Sequence, residues 1–199
     1  TPNKQDGCLH LALSSSNDTR IRAAVVFAER VFEGESFAVH EKEPTGELCV
    51  PLRPAKDVSA ELTIKALVGG RAMPVCHVFE LSMQLPRFAM YLPVDSPAAR
   101  APAAGVSFVV REPAAKVKAW ILATFNVASV RQASDDTIEQ GFVSLRDDRP
   151  IWIRMTPDAG GTVQLRTEDM EFAGDVLQDL CAALHITELE STAEFPQEM

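Results

Sequence analysis

The stretch Glu61-Leu62-Thr63-Ile64-Lys65-Ala66-Leu67-Val68-Gly69-Gly70 decides the fold class. Leu62, Ile64, Ala66 and Val68 alternate with Glu61, Thr63 and Lys65, and a period of two puts the apolar set on one face of a strand. Gly69-Gly70 is the turn expected to close it. Toward the N-terminus the same alternation recurs. Leu9, Leu11 and Leu13 oppose His10, Ala12 and Ser14. Ile21, Ala23, Val25 and Phe27 repeat the pattern after a polar break, which also holds the sequon-like Asn17-Asp18-Thr19, read here as a turn. Phe37 to Val39, then Leu48, Val50 and Leu52, continue it, and Val75, His77, Phe79 and Leu81 form the last run. Gly34, Pro44-Thr45-Gly46, Pro51 and Pro54 punctuate the series. Short strands with spaced turns and no amphipathic helix predict a small antiparallel β-sandwich over residues 1–85.

After Pro86 the pattern changes. A strand over 88–92 leads into a Pro/Ala-rich loop, 93–104, and a second strand covers 106–110. Glu112-Pro113 places proline at the first helical position, and Val117, Trp120, Ile121 and Phe125 then recur at three and four. Three strands follow, over 141–145, 151–155 and 163–166, with Pro157-Asp158-Ala159-Gly160-Gly161 turning between the last two. Thr167 is the expected cap of a second helix, with Glu168, Asp169 and Glu171 in its first turn. Its buried stripe is read as Met170, Ala173, Val176, Leu177, Leu180 and Leu184. This order predicts a small α+β platform over residues 86–199, an antiparallel sheet with two helices on one face. The join near Leu85-Pro86 is too short for a flexible linker.

Composition narrows the partners. Lys+Arg 19 against Asp+Glu 28 leaves 19 − 28 = −9, which repels phosphate backbones and anionic membranes, so no nucleic acid is expected. The longest apolar run, Ala23 to Ala28, falls far short of the roughly 18–20 residues a spanning helix needs. The polar start, Thr1 to Asp6, lacks the core of a signal peptide, and a first residue other than Met is expected of a piece of a longer chain. Cys8, Cys49, Cys76 and Cys181 show neither disulfide density nor Cys-x-x-Cys spacing and read as reduced, mostly buried thiols.

Site chemistry is sparse. His10, His40, His77 and His185 show no i, i+4 pairing, Asp135-Asp136 and Asp147-Asp148 sit in loops, and Gly69-Gly70 and Gly160-Gly161 lack a phosphate-binding spacing. No Gly-x-Ser-x-Gly elbow occurs. The expectation is a protein without catalytic, cofactor-binding or metal-ligating residues; a hydrolase would need a pocket where acids meet a histidine. One surface stands out. Ile151, Ile153 and Met155 face one way and Trp152 and Arg154 the other, while Val163 and Leu165 alternate with Gln164 and Arg166. With helices on the aliphatic face, Trp152, Arg154, Gln164 and Arg166 share the open face as a candidate partner site, since an aromatic among guanidinium groups suits a binding hot spot. The plainer reading packs Trp152 against the sandwich and leaves the arginines in solvent.

The residues also resemble a family. SNDTRIRAAVVFAERVFEGES (Ser16 to Ser36), Pro54-Ala55-Lys56-Asp57-Val58, HVFELSMQLPRFAMY (His77 to Tyr91), RTEDMEFAGDVLQDL (Arg166 to Leu180) and Ile186 to Pro196 are similar, in order, to the Bardet–Biedl syndrome protein 2 family of BBSome subunits. The resemblance runs from about Gly7 and is weakest in the Pro/Ala loop and over 127–139. Met83 stands where a basic residue is expected, and Trp152 where vertebrate members are more polar. The resemblance implies an immunoglobulin-like sandwich of γ-adaptin-ear type and a platform, with a propeller and coiled coil before Thr1 and a helical hairpin after Met199. It further implies an assembly and protein-interaction module without catalysis or cofactors, in a coat-like adaptor that moves membrane proteins to and from cilia. Expected partners are the related subunits seven and nine, with membrane contact only through the complex. Expected locations are the cytoplasm and, through the complex, the cilium, its membrane and the basal body. The alternative is a clathrin-adaptor-type appendage that binds short peptide motifs. Exposed edge strands would also let the isolated chain form homodimers.

Overall fold

A computed structural model describes residues 1–70, 75–95, 101–134, 136–157 and 161–196. The chain divides into two compact units, Thr1–Met90 and Tyr91–Met199.

The first unit is a sandwich of antiparallel strands: β1 (Pro2–Asn3), β2 (Cys8–Ser14), β3 (Thr19–Phe27), β4 (Ser36–Thr45), β5 (Glu47–Leu52), β6 (Ala60–Gly70) and β7 (Cys76–Leu85). They form a three-stranded sheet, β1-β2-β5, and a four-stranded sheet, β4-β3-β6-β7. Leu9, Leu13, Leu48, Val50 and Leu52 line the core from one sheet, and Leu62, Ile64 and Ala66 from the other. The alternation expected for β2, β5 and β6 therefore holds. In β3 it does not. Ile21 and Ala23 occupy consecutive register positions against β6, leaving Arg22 as the extra residue of a β-bulge. One inserted residue reverses the faces beyond it. Ile21, Ala24 and Val26 are buried, while Phe27, expected inside, is 41% exposed. β6 continues through Gly70, so Gly69 and Gly70 belong to the strand and not to the turn expected there; 71–74 lie outside the described residues. Residues 88–90, expected to begin a strand, instead form a buried turn closed by the Ala89 N–H donating to the Pro86 carbonyl at 3.2 Å.

The second unit contains β8 (Tyr91–Val94), β9 (Gly105–Val109), α1 (Ala114–Thr124), β10 (Gln132–Ser134), β11 (Thr137–Ser144), β12 (Pro150–Thr156), β13 (Thr162–Arg166), α2 (Met170–Leu184) and β14 (Ser191–Glu194). Its sheet runs β10-β11-β12-β13-β9-β14, with β8 also paired to β11, and every pairing is antiparallel. β10 and β14 have no apolar alternation and were not expected; all their residues are exposed. The expected Pro/Ala loop and the turn after Pro157 lie partly outside the described residues, at 96–100 and 158–160.

Aromatic rings fasten both helices to one face of this sheet. Phe125, just past α1, stacks on Phe142 of β11 at 4.4 Å between centroids. Tyr91 of β8 meets Phe125 at 6.0 Å and Phe172 of α2 at 5.0 Å. The Trp120 indole N–H donates to Asp179 at 2.7 Å and links the helices directly. Such offset and edge-on pairs add about 0.5–1.5 kcal/mol each beyond area burial. Both helix starts correct the sequence reading. Pro113 is the N-cap of α1 rather than its first residue, and its ψ of 143° lies outside the helical range. Asp169, not Thr167, caps α2 by accepting from the Phe172 N–H at 2.9 Å, while Thr167 Oγ1 accepts from the Asp169 N–H at 3.2 Å. The buried stripe of α2 is Phe172, Ala173, Val176 and Leu180; Met170 is exposed, and Leu177 and Leu184 are only half-buried.

Arg149 ties the β11–β12 turn to the start of α2, reaching Asp147 at 2.5 Å and the capping Asp169 at 2.6 Å. Desolvation pushes the Asp147 carboxyl up, but hydrogen bonds from Ser144 and Arg149 and the guanidinium charge outweigh it and hold it below its usual 3.8. A carboxylate depressed on folding stabilises above its unfolded value, and that contribution is lost as pH falls through the folded one. Asp147→Asn should therefore flatten the loss of stability below pH 3.8, read by urea denaturation across that window. In the helix, Leu180→Ala should cost about 2–5 kcal/mol, whereas Leu177→Ala should cost under about 2 kcal/mol, measured by the same method.

Candidate interaction surfaces

The four residues expected to share a face do so. Trp152 pairs across the sheet with Arg166 and Arg154 with Gln164. On the other side, Trp152 lies opposite Gly141, which offers no side chain, and Arg154 lies opposite Glu139. The face is not open at its aromatic, however. Trp152 is only 7% exposed, and its buried indole N–H has no hydrogen-bond partner among the described residues. Arg166 is held by the Ala103 carbonyl at 3.0 Å and by Glu194 at 3.3 Å. Arg154 is exposed and Gln164 partly so. β12 is thus buried on both sides at Trp152, which alternation alone could not reveal.

A larger apolar surface lies on β7. Its residues from His77 to Gln84 are exposed although the strand is half apolar. Phe79, Leu81 and Met83 pair with Ala66, Ile64 and Leu62, whose side chains are in the sandwich core. They therefore point to the inner face of the four-stranded sheet, yet they are 53%, 53% and 42% exposed. Val78, on the opposite face, is 65% exposed. β7 is also an edge strand, with one row of backbone groups unpaired by the sheet. The sequence identified this strand but assigned its apolar face to the core.

The chemical inventory needs two corrections. His10 does not stand alone: its Nε2 lies 3.0 Å from an Asp6 carboxylate oxygen. Asp6, Cys8 and His10 form a group whose donor atoms all lie within 4.8 Å. The period-two spacing Asp6-Gly7-Cys8-Leu9-His10 was the signal available for it. The cysteines are free, but Cys8 alone is buried; Cys49 is exposed, and Cys76 and Cys181 are intermediate. Burial still pushes the Cys181 thiol up, which keeps it protonated. His40, His77 and His185 are exposed. A cleft at Phe27–Arg30, Glu35, Ser59–Glu61 and Thr63 and another at Val109, Arg111, Glu112, Ile186 and Glu188–Glu190 hold acids and arginine but neither histidine nor cysteine. Asp147 serves its turn, accepting from the Arg149 N–H at 3.3 Å; Asp135, of the other acidic pair, lies outside the described residues. Asn17 and Asp18 are both left-handed, with φ of 56°, as a tight polar turn requires. No described helix is long and apolar enough to cross a membrane.

Comparison with known sequences places both units. The profile of the BBS2 GAE domain matches residues 3–88, and that of the BBS2 platform domain matches residues 78–184. BBSome complex member BBS2 of Rattus norvegicus is 37% identical over 194 residues, covering 96% of this chain and 27% of the relative. The Homo sapiens protein of that name is 36% identical over 188 residues, covering 94% and 26%. BBSome complex member bbs-2 of Caenorhabditis elegans is 26% identical over 198 residues, covering 94% and 28%. The chain spans about a quarter of the length of these relatives.

Burial of Trp152 sets an expectation for its removal. Trp152→Ala should cost about 3–5 kcal/mol and lower the melting temperature by many degrees. A variant that melts with the parent would instead show the indole to be dispensable to the fold and available to a partner.

Proposed function

The chain belongs to the BBS2 family, and from that premise we propose that it is a non-catalytic assembly and protein-interaction module of a BBSome subunit, within a coat-like adaptor that carries membrane proteins to and from cilia. What supports this reading is β7, where inner-face side chains of an ear sandwich stand in water on an edge strand. An exposed apolar patch rimmed by polar residues is the usual mark of a protein contact. Homology is to a structural subunit. The partners are other BBSome subunits, first among them the related subunits seven and nine. The module works in the cytoplasm and, through the complex, at the cilium, its membrane and the basal body. Arg154, Gln164 and Arg166, with Trp152 packed beneath, supply a second, polar contact on the platform.

The alternating apolar side chains of β7 would also suit an added peptide strand, which keeps a clathrin-adaptor-type appendage as the second reading. For the same reason the isolated chain should form homodimers at high concentration, and strict monomers in light scattering would remove that claim.

Co-purification with ear-plus-platform fragments of other BBSome subunits tests the main reading. The parent chain should associate, and Phe79→Ser with Leu81→Ser should lose at least about 2 kcal/mol of affinity, roughly thirtyfold, with little change in melting temperature. No association by the folded parent with any subunit would overturn it, and affinity for short peptides alone would favour the appendage.

A further inference from the structure

The N-terminal hairpin gathers a carboxylate, a thiol and an imidazole at one place, independently of the apolar surface on β7. In Asp6-Gly7-Cys8-Leu9-His10, Cys8 and His10 are two apart on β2 and share the face opposite the buried Leu9. The loop between β1 and β2 returns Asp6 to that face. Asn3 pairs with Cys8, and Gly7 takes the left-handed φ of 59° that turns the chain back into the strand. Asn3 Oδ1 accepts from the Gln5 N–H at 2.9 Å and the Asp6 N–H at 3.4 Å, and its Nδ2 donates to Asp6 Oδ2 at 2.9 Å. That same oxygen lies 3.0 Å from His10 Nε2, which Asn3 Nδ2 also approaches at 3.3 Å. An Asp–His surface pair explains none of the third member. Cys8 is fully buried although it lies on the outer face between exposed Asp6 and half-buried His10.

We propose that Asp6, Cys8 and His10 form a binding site for one divalent transition-metal ion of the zinc type, with water in the fourth position. Thiolate, imidazole and carboxylate are the donor set such an ion takes, and three protein ligands plus water make a complete tetrahedron. Bond lengths of about 2.0–2.3 Å put tetrahedral donors roughly 3.3–3.8 Å apart. The group already lies between the 3.0 Å Asp6–His10 contact and the 4.8 Å that bounds all its donors, so small side-chain rotations close it. Asn3, bonded to the carboxylate, orients one ligand from outside the ion's own shell. The ion would staple the β1–β2 loop to its strand at the edge of the three-stranded sheet.

The probe is Co²⁺, titrated into the chelator-treated 199-residue chain and followed by absorbance. One equivalent should bind with a thiolate-to-cobalt charge-transfer band, and Zn²⁺ should displace it and raise the melting temperature. Cys8→Ser should abolish the band, while the Cys49→Ser, Cys76→Ser, Cys181→Ser triple variant keeps it. Asp6→Asn and His10→Gln, at side chains that reach solvent, carry the test even if the Cys8 variant misfolds. Each should weaken Co²⁺ binding by more than about tenfold with an unchanged circular dichroism spectrum. Absence of the band in the parent, its persistence in Cys8→Ser, its loss in the triple variant, or undiminished binding by Asp6→Asn and His10→Gln would overturn the site.

Discussion

Three strands cannot cover four. Neighbouring strands stand about 4.8 Å apart, so a sheet short by one strand leaves that width of its partner's inner face uncovered. Both edge strands of the four-stranded sheet are left uncovered, β4 along most of its length and β7 with the larger apolar share, where Phe79, Leu81 and Met83 continue the core row of Ala66, Ile64 and Leu62 into solvent. At about 25 cal/mol per Å² of apolar surface, leaving those side chains wet forgoes a few kcal/mol that a covering partner would recover. The surface proposed for assembly is therefore no separate device added to the fold. It is the part of the core that the fold does not close.

The platform solves the same problem differently. Two helices lie on one face of its sheet, and rings from three different elements, Tyr91, Phe142 and Phe172, meet around or beside Phe125. Buried Gln140 is satisfied: it accepts from the Arg131 N–H at 3.0 Å and donates to the Gly141 carbonyl at 2.7 Å. On the opposite face the buried Trp152 leaves Arg154 and its neighbours as a polar surface. In the assembly role proposed above, an edge contact on the ear would supply apolar area and a polar face on the platform would supply orientation.

Most strands and both helices were legible because periodicity reports which residues share a face, and β2, β5, β6, α1 and α2 keep their period. β3 was misread because a bulge at Arg22 leaves no mark in hydropathy; only pairing with β6 reveals the extra residue. β14 was missed because an exposed edge strand such as Ser191–Glu194 is held by backbone bonds to β9, and its side chains carry no apolar code. Thr167 and Asp169 are both good caps, and geometry rather than composition selects the one whose carboxylate reaches the Phe172 N–H.

The sites divide along the same line. Sequence alone determined that the chain is acidic, that a strand-rich half precedes an α+β half, and that Trp152, Arg154, Gln164 and Arg166 fall on one face. Ordered blocks of resemblance placed it in its family. Those properties are local or additive, so they can be read along the chain. Burial is neither: whether an apolar side chain is core or contact depends on what lies across from it in space. Only the tertiary structure could therefore decide that Trp152 is covered, that Phe79 and Leu81 are not, and that a turn folds Asp6 back onto Cys8 and His10.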